Sequence, residues 1–196
     1  AAAVAGQRRM RVPWSVRFLF RYIADQLEGE GRVSRVRPII KDMGPAFRAD
    51  AKAEGQSVVI GGWECLGGRP SARSRWFAVE LNRRNAPWAF ARGLPAHSIS
   101  TLEVLASTAA VALLAPDEVN GDGSIAVTGF TDSQVAARVL TRGMTTTYPL
   151  CCVVMELAAQ LERRKLELSL EWSPRESNRE ADRLADGIAE GFSPAL

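Results

Sequence analysis

The period of the apolar positions shifts along this chain, and each shift marks an element. Residues 12 to 29 carry Val16, Phe18, Leu19, Phe20, Tyr22, Ile23 and Leu27 between an early Pro13 and the stops Gly29 and Gly31, which predicts a helix. Its apolar coverage is too broad for a helix solvated on its own, so it is expected to pack on the main domain or on a neighbouring one. Residues 30 to 44, rich in Gly, Arg and Pro, read as a linker. From residue 46 short strand patterns take over: Ala46 to Ala51, the β-branched run Ser57 to Trp63, and Arg75 to Leu81 after the turn region Gly67-Gly68-Arg69-Pro70. Tight connections between three neighbouring strands predict an antiparallel meander.

Helical spacing returns over residues 98 to 114, where Ile99, Leu102, Leu105, Ala109 and Leu113 recur, Ser98 or Ser100 can cap the start and Pro116 follows the end. After the polar loop Asn120-Gly121-Asp122-Gly123, Ser124 to Phe130 reads as a fourth strand running into Thr131 and Asp132. Helices follow at about Ser133 to Leu140 and Tyr148 to Lys165. A fifth strand covers Glu167 to Trp172, and a last helix starts near Ser177 or Asn178. The order βββαβααβα predicts an α/β fold, with a five-stranded mixed sheet of three antiparallel and then two parallel strands, flanked by helices. The expected division is a basic helix and linker over residues 1–44 and one α/β domain over 45–196, for which 46% hydrophobic residues suffice to bury a core.

Charge changes this picture only at the start of the chain. Residues 1 to 40 hold eight Arg against Asp25, Glu28 and Glu30, giving +5, while the remaining 17 basic and 19 acidic residues give −2. A basic segment beside a mildly acidic domain fits a polyanion-binding protein with a carboxylate-lined site, and equally fits ordinary solvated arginines. Cys65, Cys151 and Cys152 lack CxxC spacing and read as packing residues of a reducing compartment. No apolar run reaches the length needed to span a bilayer, and the start lacks the order of a signal peptide. A soluble protein of the cytoplasm or nucleus is the expectation.

The candidate chemistry lies in four acids: Asp50 on the first strand, Glu103 on the helix after the meander, Asp132 at the end of the fourth strand, and Asp182 on the last helix. If the first and fourth strands are neighbours, Asp50 and Asp132 face each other, and the two helix-borne acids can close the ring. Two divalent cations roughly 4 Å apart need such oxygen ligands from several elements. Carboxylates packed this closely repel, so at least one is expected to have a raised pKa. Each residue also has a plainer reading: Asp50 as a turn residue, Asp132 as a helix cap, and Asp186 as a rival to Asp182 one turn later. An unpaired Glu103 among apolar neighbours is costly and therefore hard to explain as accidental. His97 reads as a surface or capping residue. Trp63, Trp76, Trp88 and Trp172 could stack on nucleic acid, but most of them read as core; the exposed candidates are Trp88 and Phe90, in a loop with Arg83, Arg84 and Arg92 suited to a phosphate backbone. Arg163-Arg164-Lys165 is a weaker basic patch, because helix ends favour cations anyway.

Residues 46 to 192, with acids in the order Asp, Glu, Asp, Asp, resemble a ribonuclease H domain. Phe47-Arg48-Ala49-Asp50-Ala51, Asn85-Ala86-Pro87-Trp88-Ala89-Phe90, Thr131-Asp132-Ser133-Gln134 and Trp172-Ser173-Pro174-Arg175-Glu176-Ser177-Asn178 resemble, more narrowly, the ribonuclease H region of retrotransposon (DIRS-like) reverse transcriptases. The ending Asn178-Arg179-Glu180-Ala181-Asp182-Arg183-Leu184-Ala185 carries most of that resemblance, and selects Asp182 over Asp186. It implies that Asp50, Glu103, Asp132 and Asp182 bind two Mg²⁺ ions, with Mn²⁺ able to substitute, and that the RNA strand of an RNA·DNA hybrid is cut. It also implies that residues 1 to 40 continue from a polymerase or connection region of the same polyprotein. Arg175 and Asn178 become candidate substrate contacts beside Arg83, Arg84, Trp88 and Arg92. The mobile His that many such enzymes carry shortly before the last Asp has no counterpart in Ser173 to Asn178, and Arg175 or Glu176 stands in its place. Two other classes remain open: a catalytically silent binding module, and another enzyme of the same fold. An exonuclease would need a Glu two residues after Asp50, where Lys52 stands, and a transposase would end in Glu at Asp182.

Overall fold

β-branched and aromatic residues build five strands, as their alternation requires. The computed structural model describes residues 13–28, 38–65, 68–71, 73–91, 93–116 and 123–192. The chain divides into two units, Ala1–Val36 and Arg37–Leu196. In the first, helix α1 spans Trp14–Glu28, with the Pro13 carbonyl accepting from the N–H groups of Val16 and Arg17.

In the second unit the strands are β1 (Ile39–Glu54), β2 (Ser57–Glu64), β3 (Trp76–Leu81), β4 (Ser124–Thr131) and β5 (Leu166–Trp172). They lie in the order β3-β2-β1-β4-β5. β1 pairs antiparallel with β2 and β2 with β3, and β4 and β5 run parallel to β1. This strand order and direction, with helices packed on the sheet, is a ribonuclease H-like fold. Residues 39 to 44, read above as linker, are the first part of β1: they pair with β4 through register shifts that Asp42-Met43-Gly44-Pro45 introduces. Proline cannot donate to the ladder, so the sequence there looks unlike a strand although the chain follows one.

Helix α2 (Ile99–Leu114) crosses the sheet and buries Leu102, Val104, Val111 and seven other residues. Leu102 is 0% exposed, and truncation to Ala would cost roughly 2–5 kcal/mol. Together with the 3₁₀ turn before it, the stretch Pro95–Leu114 is apolar and long enough to cross a membrane, contrary to the reading above; here it is the central core helix, 56% buried. Its start is not capped by a side chain, since Ser98 holds the N-cap position without a capping bond. Its end is tied down instead. Arg75 Nη2 donates to Leu114 O (2.6 Å) and Arg164 Nη2 to Ala112 O (2.6 Å), satisfying carbonyls that a helix end leaves open. Arg164 is therefore occupied within the fold rather than available in a basic patch.

α3 (Gln134–Arg142) and α4 (Leu150–Arg164) complete the larger core with α2, while α5 (Arg179–Ala185) covers a smaller cluster of Trp63, Cys65, Ala181, Leu184 and Phe192. Glycine decides how closely α5 approaches. A Cβ at Gly61 would stand 2.8 Å from Ala185 N and 2.9 Å from Leu184 Cβ. Gly61 is also the register partner of Asp50. All three cysteines are free, with Cys65 buried.

Candidate active site

Strand pairing sets the first two acids side by side. Arg48 pairs with Phe130 on neighbouring parallel strands, so two residues further Asp50 meets Asp132 just past the end of β4. Glu103 arrives from the second turn of α2. Carboxylate oxygens of Asp50, Glu103 and Asp132 all lie within 4.8 Å of one another. Asp50 and Glu103 are buried, at 4% and 7% exposure. No cation stands between them among the described residues. Burial and mutual repulsion therefore act together.

The acids respond as this predicts. Asp50 is pushed up to about 8 by burial, then by the Asp132 charge and a hydrogen bond to it, and by Asp182, with the Ala51 amide opposing. Glu103 is pushed up to about 9 by burial and by the charges of Asp50 and Asp132, against hydrogen bonds from the Ala51 amide and the Thr131 hydroxyl. Two groups, Asp50 and Glu103, carry the shift expected of at least one. Glu103 Oε2 is buried with no hydrogen-bond partner, an arrangement that costs free energy unless something positive arrives. Hard oxygen donors and an orphaned buried acceptor fit a divalent cation such as Mg²⁺ or Mn²⁺.

Asp182 stands apart from this trio. It is close enough for its charge to raise Asp50, yet its Oδ1 accepts from Arg175 Nη2. That ion pair raises the Arg175 pKa, Asp182 first and Asp50 and Asp132 further. Arg175, proposed from sequence as a substrate contact or a replacement for the missing His, is thus in direct contact with the fourth acid. Asp186, one turn later, binds Lys52.

Neighbouring groups hold the acids in place. Ser133 takes the cap of α3, its Oγ accepting from Ala136 N at 3.2 Å, which frees the Asp132 carboxylate from that duty. Thr131, 0% exposed, accepts from Ser133 N and, through its carbonyl, from Ser173 N. Arg48 lies 4.5 Å over the Phe130 ring and donates to Ser173 Oγ, tying β1 to the loop before α5. Asn178 proves to be a positioning residue. It is 0% exposed and its Nδ2 donates to Ala49 O, so its side chain is sealed from any substrate. The polar, charged step from strand to helix around it, Ser173 to Glu180, gave no sign of that burial.

The aromatic and basic candidates sort differently from the expectation. Phe90 is core at 5% exposure and Trp88 is only part-exposed, packed against the main cluster. Arg83 and Arg84 are exposed, with Arg83 5.6 Å over the Phe90 ring, and neither touches the carboxylates. Arg92 lies outside the described residues. Trp172, read as core, is 47% exposed, and its Nε1 donates to Asp132 O at 2.9 Å. Its place at the last residue of β5 was the available signal, since a strand's final residue is the one most easily left uncovered. His97 is exposed on the turn before α2.

No protein-family model matches this chain, and no curated protein matches it. Among solved structures it is similar to ribonuclease H1 from the halophilic archaeon Halobacterium salinarum NRC-1, with 18% identity over 73% of this chain and 95% of that one, at a TM-score of 0.48. It is also similar to the N-terminal ribonuclease H domain of Rv2228c from Mycobacterium tuberculosis, as a fusion protein with maltose-binding protein. There the identity is 17%, covering 74% and 91% of the two chains, and the TM-score is 0.47. The fold class itself rests on the strand order and directions given above.

Proposed function

We propose that this chain is a metal-dependent endoribonuclease that cuts the RNA strand of RNA·DNA hybrids. The observation that carries the reading is the trio Asp50, Glu103 and Asp132, brought from two strands and a helix to one point with an unpartnered buried oxygen on Glu103. Asp50, Glu103, Asp132 and, once released from Arg175, Asp182 would hold two Mg²⁺ or Mn²⁺ ions. Such ions lower the pKa of an attacking water and stabilise the departing 3′ oxygen. The protein's own part is to hold Asp50, Glu103 and Asp132 at one point, to exclude water around Glu103 by burial, and to fix Asp132 through the Trp172 hydrogen bond to its carbonyl. Selection of hybrid over other duplexes would come from helix shape and 2′-hydroxyl contacts, with little sequence preference.

The motif Asn178-Arg179-Glu180-Ala181-Asp182 and its companions support a place within a retroelement reverse transcriptase polyprotein, with its polymerase as partner, acting in the cytoplasm or nucleus. The test is cleavage of a labelled RNA strand in RNA·DNA, RNA·RNA and single-stranded form, with Mg²⁺, Mn²⁺ or EDTA, beside Asp132→Asn. Internal cut sites in the hybrid alone, dependent on metal and lost in the variant, are expected. A folded protein that binds hybrid without cutting it in either metal would instead be a silent binding module.

A further inference from the structure

Beside the carboxylates the surface opens into a groove of about 490 Å³ between α3 and the end of β5. Its floor is apolar, formed by Ala137, Leu170 and Trp172, and its rim carries Arg138 and Arg142, one helical turn apart. No acid lines it. Among the described residues neither guanidinium has a hydrogen bond or an ion pair, whereas Arg48, Arg75, Arg164, Arg175 and Arg183 all do. Trp172 is 47% exposed, but it is not loose: its indole N–H is fixed on the carbonyl of Asp132, one of the three clustered acids. A fixed aromatic face beside two unneutralised guanidiniums offers a base something to stack on and a phosphate something to bind.

We propose that the α3–β5 groove holds an unpaired nucleotide of the strand that continues past the carboxylate site, its base on Trp172 and its phosphates on Arg138 and Arg142. A paired base has its faces covered by stacking within the duplex, so an exposed indole selects single-stranded nucleic acid. The volume suits a ligand of nucleotide size, and the absence of acids in the lining matches a polyanion. This rests on the nuclease reading for the direction of the strand, but binding itself requires no cleavage. Trp172 would thus report occupancy of the groove directly to the backbone of Asp132.

The experiment compares two hybrids in EDTA by fluorescence anisotropy, one blunt and one with a single-stranded RNA extension of roughly eight nucleotides. Wild type is expected to prefer the extended hybrid. In Arg138→Ala/Arg142→Ala that preference should fall about tenfold, and the slope of log K against log salt for the extension should drop by about 1.4. Trp172→Leu should also lose about tenfold, and Trp172→Phe, which keeps a stacking ring, should retain most of the preference. Thermal melts of each variant report folding separately. Equal affinity of wild type for both hybrids, or a preference unchanged in the variants, overturns the proposal; so does an equal loss for both hybrids, which would place duplex in the groove. Cleavage of the blunt hybrid by wild type in Mg²⁺ is followed in parallel. Its failure would sink the nuclease reading and leave the binding ratio intact.

Discussion

Two groups of carboxylates at one end of the sheet are handled in opposite ways. Asp182 and Asp186, on and just after α5, are each matched by a cation of the chain, Arg175 and Lys52. Asp50, Glu103 and Asp132 have no ion-pair partner among the described residues; Asp50 and Glu103 are buried and Asp132 is half-buried, and the two buried acids are pushed to about 8 and about 9. Among the described residues the chain's arginine and lysine pair directly with the two acids of the α5 end, and Arg175 reaches Asp50 and Asp132 only at longer range. With no ion pair on the trio among the described residues, protons or a metal ion are the groups that would neutralise it.

The sharpest way to break this comparison is Asp50→Asn or Asp132→Asn, which should lower metal-dependent hybrid cleavage by at least about 10³-fold while the far-UV circular dichroism stays native. Wild-type rates in either variant would remove the trio from the chemistry. Metal addition should come next in size. At pH 8, Mg²⁺ or Mn²⁺ at about 100 times its dissociation constant should stabilise the protein by about 2.7 kcal/mol, read as a rise in Tm that Asp50→Asn and Glu103→Gln abolish.

Without metal, the direction with pH is fixed by the raised values. Asp50 and Glu103 hold their protons in the folded chain well above the unfolded values of 3.8 and 4.5. The folded state therefore binds more protons than the unfolded one across that window, and stability falls as pH rises from about 4 through 8 to 9. In EDTA at pH 8, Asp50→Asn is expected to raise Tm by about 5 °C, a gain that vanishes near pH 4. A gain that is constant with pH would point to packing rather than charge.

Smaller effects sharpen the other side. Gly61→Ala would force α5 away from β2 at 2.8 Å contacts with backbone, costing about 1–3 kcal/mol in urea unfolding. Because Asp182 rides on α5, metal affinity should fall with it. Lys52→Ala, at an exposed ion pair, should leave Tm nearly unchanged; a large loss would show that Asp186 belongs with the buried group.

Much of this molecule is legible in its sequence because short-range patterns carry it. The β-branched run Val58-Val59-Ile60 gives β2, the apolar period gives α2, and the four acids sit in local settings that mark strand ends and helix faces. The order of elements leaves few topologies, and the mixed sheet follows. What the sequence could not decide are matters between distant residues. Lys52 meets Asp186 across 134 positions and Asn178 meets Ala49 across 129. Only packing settles that Asn178 is sealed, that Phe90 is core while Trp172 is open, and that Asp182 turns to Arg175 rather than to the trio. Residues 39 to 44 escaped for a related reason: Gly44 and Pro45 argue against a strand locally, and only pairing with β4 makes them one. Local periodicity fixes which face a side chain takes, but whether that face is covered depends on which segment lands on it, and that is a property of the assembled fold.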